Sequence, residues 1–367
     1  MRIGHYKGAS FLRRHPEGCS SSLLLAVVTG LVPPAVACQQ INANSVTVPV
    51  NVVNFNRAET DSYFTRAVSQ GAFGKIVNNR DVTQVPQQSA PRSSRDTLYS
   101  AGVFDLEAAP VTVTLPDTSG RFMSMEIISE DHYAIDVVYA PGRFTYTQNK
   151  VGTRYAMLVI RTAVDADSPP NLGAAYRLQD AVQVQQASAG SFEIPNWDPK
   201  SIGEARDSLV VLGSLGVGSA VMFGRKSEVD PVAHLIGTAT AWGGNPPSAA
   251  VYKDVFPTQN DGATVHQLTV KDVPVDGFWS ISVYNASGYF QKNALDRYST
   301  SSLTAKPNTD GSITVQFGGC EKTTPNCLPI MSGWNYTVRM YRPRKAILDG
   351  SWQFPVAAPV KSTTHPF

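Results

Sequence analysis

The chain is poor in charge, in histidine and cysteine, and in long apolar runs. Charged residues make up 16 % of its 367 residues, below the roughly 25 % of an average globular protein. Thr, Ser, Asn, Gln, Val and Gly fill the gap, which is the composition of turn-rich β structure rather than of helical bundles. Residues 1–37 hold four of the 31 basic residues and one of the 29 acidic ones, so the formal charge of +2 becomes −1 without them (27 basic against 28 acidic). No basic run or stripe follows, which excludes nucleic acid and anionic membrane surfaces as partners. Beyond residue 37 the histidines are His132, His234, His266 and His365, all far apart. No metal is expected, because a His-based centre would have to be assembled from distant segments. Two catalytic signatures are missing as well. Ser214 and Ser219 have Leu212 and Val217 where a nucleophile elbow needs Gly. Gly213, Gly216 and Gly218 lack the spacing of a dinucleotide or phosphate loop, so no cofactor is expected.

The one marked apolar run, Leu23 to Val32, is too short to span a bilayer. It follows Arg2, Lys7, Arg13 and Arg14 and precedes Ala35-Val36-Ala37, the pattern of a secretory signal peptide over residues 1–37. The protein is therefore expected to be exported. Cys38 leaves two outcomes open. Cleavage after Ala37 gives a soluble periplasmic protein, whereas lipidation of Cys38 gives an outer-membrane-anchored lipoprotein. Ala35 stands where a lipidation signal usually has Leu. Of the four cysteines, Cys19 leaves with the leader and Cys38 marks the boundary. Cys320 and Cys327 are expected to form a disulfide in an oxidising compartment.

Patterning divides the rest. Residues 57–70 have helical spacing and end at Gly71. Strands are predicted over 111–115, 122–128, 133–139, 144–147 and 155–161, separated by Pro, Gly and Asp turns. Residues 171–186 and 201–215 read as helices, and Gly243-Gly244-Asn245-Pro246-Pro247 as a connector. Strands return over 265–270, 278–285, 312–317 and 335–341. The expected fold class is mainly β, with an N-terminal β domain over 45–200, a helical insertion and connector over 201–250, and a C-terminal β domain over 251–355.

Two blocks carry a resemblance. Ser94-Arg95-Asp96-Thr97-Leu98-Tyr99-Ser100, with the strand pair around Leu115-Pro116-Asp117 and Arg121-Phe122, resembles the bacterial domain of unknown function numbered 1254. Gly277 to Asn285, Asn293 to Tyr298, Trp334-Asn335 and Arg339-Met340-Tyr341-Arg342-Pro343 resemble its companion, number 1214. The resemblance implies a secreted or envelope protein of two jelly-roll-like antiparallel β domains with helical insertions, and no settled activity. Ser94 and Asn78 depart from the Asn and His usual at those positions.

Two polar clusters are the catalytic candidates. Glu130-Asp131-His132-Tyr133, with Glu126 upstream, has the ingredients of a general base oriented by a carboxylate, or is a solvated acidic turn. Arg95, Asp96 and Tyr99 are either an anion clamp or a buried pair holding a loop to the sheet. His132 is the candidate base, Arg95 the anion holder and Tyr99 or Tyr133 the proton donor; Arg95, Asp96, Tyr99, Glu126 and His132 are expected to meet on one side of the first domain's sheet. Glu126, in a semi-buried row, is expected to pair with Arg95 or His132. Trp279, Tyr284, Asn285, Trp334 and Tyr336 are ligand-platform candidates, with core packing and a turn as the alternatives. Three functions compete: an acid–base enzyme acting on a small organic or lipid-like molecule in an inter-domain pocket, a carbohydrate- or lipid-binding protein, and a structural envelope protein. The ligand's identity and the oligomeric state stay open.

Overall fold

The computed structural model describes residues 46–88, 91–216 and 218–360. The expected signal peptide and Cys38 lie outside the described residues. The protein is mainly β, with sixteen strands among the described residues in four sheets dominated by antiparallel pairs. The N-terminal sandwich sets a five-stranded sheet against a three-stranded one. The larger sheet has the order β1 (Val77–Asn78), β2 (Thr97–Asp105), β7 (Tyr155–Ala163), β4 (Met123–Ser129), β5 (Ala134–Tyr139). The smaller has the order β6 (Gly142–Tyr146), β3 (Val111–Leu115), β8 (Gln183–Gln186). Alternation along each strand sends Phe104, Met125, Ile127, Leu158 and Ile160 into the core between them, against Val111, Val113, Leu115 and Tyr146.

The opposite face of the five-stranded sheet carries Val103, Ile128, Met157 and Val159. Phe64 of α1 (Phe55–Ser69) and Trp242 cover these. α1 packs in turn against α4 (Pro199–Gly213) and α5 (Pro231–Thr240). Both of the latter open on Asp-Pro. The Asp198 and Asp230 side chains accept from the next free backbone N–H groups, and Pro occupies the first helical position.

The C-terminal sandwich pairs two four-stranded sheets. One has the order β12 (Ser299–Ser301), β11 (Trp279–Tyr284), β15 (Asn335–Tyr341), β9 (Ala250–Val255). The other has the order β14 (Cys327–Leu328), β13 (Ile313–Phe317), β10 (His266–Val270), β16 (Ala358–Pro359). Trp279, Ile281, Val283, Trp334, Tyr336 and Val338 fill the space between them with Val315 and Phe317. Cys320 and Cys327 are joined, closing the loop that leads into β14. Replacing both by Ser is expected to cost about 2–3 kcal/mol by freeing this loop in the unfolded chain. Denaturant titration of the oxidised protein and the double variant measures it; equal midpoints would contradict it.

Some elements differ from expectation. Residues 171–186 split into α3 (Pro169–Asp180) and β8, because Ala181-Val182 ends the helix before the alternating Gln183–Gln186. β2, β9 and α5 were not predicted. Among the described residues no helix is long and apolar enough to cross a membrane.

Buried charge in α1 makes stability depend on pH. Asp61 is fully buried and accepts a hydrogen bond from Trp197 Nε1 at 2.8 Å. Burial raises its pKa to about 7, Trp197 and Arg57 oppose the shift, and Glu130 and Asp131 add to it. The folded state thus binds a proton that the unfolded state releases near pH 4. Stability should fall as pH rises from about 4 to about 7, by about 2–4 kcal/mol. In Asp61→Asn, which keeps an acceptor for Trp197, this component should vanish. Denaturant midpoints across that window provide the test, and a wild-type slope identical to that of the variant would refute the assignment.

Candidate functional site

The two sandwiches face each other through polar rows. On the N-terminal side, strand register places Tyr99, Arg161, Ser124 and Tyr139 side by side across β2, β7, β4 and β5. Glu126 lies in the next row, opposite Val159. On the C-terminal side Ser280, Arg339 and Tyr252 form a row across β11, β15 and β9. Tyr284 and Tyr341 share that outer face, because alternation turns Trp279, Ile281 and Val338 inward.

Contacts between the rows are specific. Arg161 Nη1 donates to Glu126 Oε2 at 2.7 Å and Nη2 to the Gly243 carbonyl at 2.9 Å, while its guanidinium lies 5.7 Å from the Tyr99 ring centre. Arg339 donates to Ser282 Oγ at 3.0 Å, to the Tyr284 hydroxyl at 2.7 Å and to the Arg92 carbonyl at 2.8 Å. The Tyr284 hydroxyl donates to the Ser93 carbonyl at 2.7 Å, and Ser280 Oγ to Asp96 Oδ2 at 2.5 Å. Segment 92–96 of the N-terminal domain is thereby pinned to the outer face of the C-terminal sheet. Phe122, Phe278 and Tyr341 close one side with ring centres 4.4–5.5 Å apart.

Tyr252 is the most accessible residue of these rows. Its hydroxyl accepts from Asn245 Nδ2 at 2.9 Å, yet the residue keeps 36 % of its surface accessible between two buried arginines. Burial raises the Tyr252 pKa, although the neighbouring Arg161 and Arg339 pull it down. Burial likewise raises Tyr341 well above the ordinary phenol value, and Tyr252 and Asp96 add to this. Arg161 loses basicity to burial but regains more from Glu126 and the phenols, so its pKa is raised overall. Burial pushes Glu126 up against the pull of Arg161, and its Oε1 has no hydrogen-bond partner among the described residues. Next to Tyr99, a cavity of about 300 Å³ is lined by Asn79, Thr83, Gln84, Ser94 and Thr97. The Thr97 hydroxyl there is buried and has no partner among the described residues.

The expected meeting of Arg95, Asp96, Tyr99, Glu126 and His132 on one sheet face is not found. Tyr99 and Glu126 do flank the seam, but the partner of Glu126 is Arg161 rather than Arg95 or His132. Arg161 lies two residues along β7 from Val159, the residue paired with Glu126, so it reaches across the row from the same sheet. Asp96 is fixed by Ser94 and Ser280. Arg95 turns away, donating to the Thr83 carbonyl at 2.6 Å and lying over the Tyr298 ring. His132 is buried beneath the helices. Its Nε2 accepts from the Gly243 N–H at 2.8 Å, so Nδ1 carries the proton and donates to Thr238 Oγ1 at 2.8 Å; the Thr238 hydroxyl donates in turn to the His234 carbonyl at 2.9 Å. Burial and neighbouring His234 hold its pKa well below the ordinary value. This neutral imidazole has no free nitrogen for a substrate. Tyr133 stacks on His234 with ring centres 4.6 Å apart.

The aromatic candidates also separate. Trp279, Trp334 and Tyr336 are core residues, and Asn285 caps its own turn through the backbone N–H groups of Ser287 and Tyr289. Only Tyr284 faces the other domain. Sequence reasoning missed Arg161, Arg339 and Tyr252, although a charge in a strand otherwise alternating toward burial is a usable signal.

The fold and site define a class: a protein of two β sandwiches joined by a polar, tyrosine- and arginine-rich seam, with a cavity beside Tyr99. Residues 73–150 match the protein of unknown function DUF1254, and residues 248–345 the protein of unknown function DUF1214. The chain thus pairs an N-terminal DUF1254 match with a C-terminal DUF1214 match. Among solved structures it is similar to the VPA0106 protein from Vibrio parahaemolyticus, with 19 % identity and a TM-score of 0.67 over 84 % of this chain and 98 % of that one. It also matches an uncharacterized protein from Burkholderia cenocepacia, with 12 % identity and a TM-score of 0.44 over 80 % and 84 % of the two chains. No curated protein matches.

Proposed function

We propose that this is an exported envelope protein that binds a small neutral, polyhydroxylated molecule of the carbohydrate class in the polar cavity beside Tyr99, at the seam between its sandwiches. The observation that carries this reading is the charge balance at that seam. Arg161 is matched by Glu126, and Asp96 lies close enough to Arg339 to raise its pKa. The charges of Arg161 and Arg339 are thus already met, and among the described residues Asp81 is the one charged side chain lining the cavity beside Tyr99, so a cation or an anion gains little there over a neutral ligand. What remains are phenol hydroxyls and faces, the Asn245 amide, and the hydroxyl and amide lining beside Tyr99. These are the groups that hydrogen-bond and stack against a sugar. Export is supported by the leader pattern and agrees with the disulfide.

A thermal-shift panel of neutral oligosaccharides, uronic acids and fatty acids on the mature chain tests the reading. Neutral saccharides should raise the melting temperature, and Tyr99→Phe should weaken the response by about tenfold in affinity. A response confined to the acids would overturn the reading, and so would no response at all.

Acid–base catalysis is a second reading, favoured by the unpartnered Oε1 of Glu126 and the upward push of burial on its carboxyl. If it holds, Glu126→Gln keeps saccharide binding but loses turnover of the bound sugar.

A further inference from the structure

On the far side of segment 92–96 from Tyr99 lies a second crevice, of about 390 Å³, with walls from both domains. The N-terminal wall is the stretch after β7, which contributes Asp165 and Asp167. The C-terminal wall is built from the segments flanking β12, which contribute Arg297 and Lys306, and from the disulfide loop through Thr324 to Leu328.

Several of these groups are already committed. Arg297 donates to the carbonyls of Thr324 at 3.0 Å and Lys322 at 2.8 Å, so it holds the disulfide loop in place as part of the wall. Asp165 accepts from the Asp167 backbone N–H at 3.1 Å. Arg95, which also lines the crevice, donates to the Thr83 carbonyl, and Asp96 is held by Ser280. The carboxylate of Asp167 and the ammonium of Lys306, contributed by opposite walls, make no direct hydrogen bond or ion pair among the described residues, although Arg95 and Arg297 stand near enough to Asp167 to act on it electrostatically. Ser299, Ser301 and Thr304 line the space between.

A crevice with the carboxylates of Asp165 and Asp167 on one wall, the ammonium of Lys306 on the other and hydroxyls between is complementary to a dipolar molecule laid across it. We propose that it binds a small zwitterion, an amino acid or short peptide with free termini, whose ammonium faces Asp165 and Asp167 and whose carboxylate faces Lys306 beside Arg297. The volume lies within the range of small-molecule sites. The disulfide and the Arg297 clamp preorganise one wall, which reduces the ordering cost of binding. This site is independent of the saccharide reading, since it shares with that cavity only the segment between them.

The test is isothermal titration of the mature chain with trialanine, with its N-acetyl and C-amide derivatives, and with the doubly blocked peptide. Trialanine should bind, and blocking either terminus should weaken binding by about tenfold or more. Asp167→Asn should abolish the preference for a free amino terminus and Lys306→Gln the preference for a free carboxylate. Both side chains lie at the rim, so the variants should fold as wild type does. Tyr99→Phe should leave trialanine binding unchanged, which separates failure here from failure of the saccharide reading. Absence of binding at millimolar trialanine overturns the proposal. Equal affinity for the doubly blocked peptide, or terminal preferences that survive in both variants, overturns it equally.

Discussion

Replacing Arg161 by Met should destabilise the protein by about 3–5 kcal/mol at pH 7, because it leaves the Glu126 carboxylate buried without its cation. Both partners are almost wholly enclosed, with side-chain exposures of 7 % for Arg161 and 1 % for Glu126. The deficit should shrink as pH falls, since an unpaired buried carboxyl takes up a proton well above the ordinary carboxylate range. The sign follows from proton uptake: the folded variant binds a proton that the unfolded chain still lacks, so acid favours the folded form until about pH 4. Arg161→Met with Glu126→Gln should recover much of the loss, because the charge is then gone from both sides. Urea titrations of the three proteins at pH 5 and pH 7 provide the comparison. A single variant as stable as wild type at pH 7 would show that the pair contributes nothing.

Arg339→Met is expected to loosen the two domains from each other, at a cost of about 3 kcal/mol. The guanidinium is buried and bonds Ser282 and Tyr284 on its own sheet and the Arg92 carbonyl across the seam. Removing it strands a buried carbonyl and frees segment 92–96, which also carries the Asp96–Ser280 contact. Wild type should unfold in one calorimetric transition, and the variant in two or in one markedly broadened. Lys in place of Met should rescue only part of the loss, since an ammonium cannot span the same acceptors. An unchanged sharp transition would mean that the seam is held by the apolar contacts of Phe122, Phe278 and Tyr341 instead.

How much of this was legible in the sequence depended on the range of the interactions. Strands bounded by turns, such as Val111–Leu115 and Asn335–Tyr341, could be read directly because alternation and Gly/Pro punctuation are local signals. The Cys320–Cys327 pair followed from elimination. β2 escaped because the block from Ser94 to Tyr99 reads as polar until its partner β7 is known; Thr97 is buried, and Tyr99 is half-buried under Arg161 of that partner. β9 alternates Tyr252 and Asp254 with Val251 and Val255, but Lys253 breaks the pattern. The helix α5 carried a usable start signal in Asp230-Pro231 that was overlooked, as the equivalent Asp198-Pro199 start of α4 shows.

The site was harder to read, for a physical reason. A row across a sheet is made by register, and register joins residues such as Tyr99 with Arg161, or Arg339 with Tyr252, that are distant in the chain. His132 drew attention because of the acidic residues beside it in sequence. Its neighbours in space are Thr238, Gly243 and Trp242, which use both ring nitrogens and one ring face. Sequence proximity to Glu130 and Asp131 thus gave a false impression of a catalytic base.

The most direct test of the cavity is a crystal structure of the mature chain grown with the neutral saccharide that raises its melting temperature most. The account predicts sugar density in the cavity beside Tyr99, in contact with the hydroxyls of Tyr99 and Thr97. Density anywhere else on the molecule, with that cavity filled only by water, would contradict it.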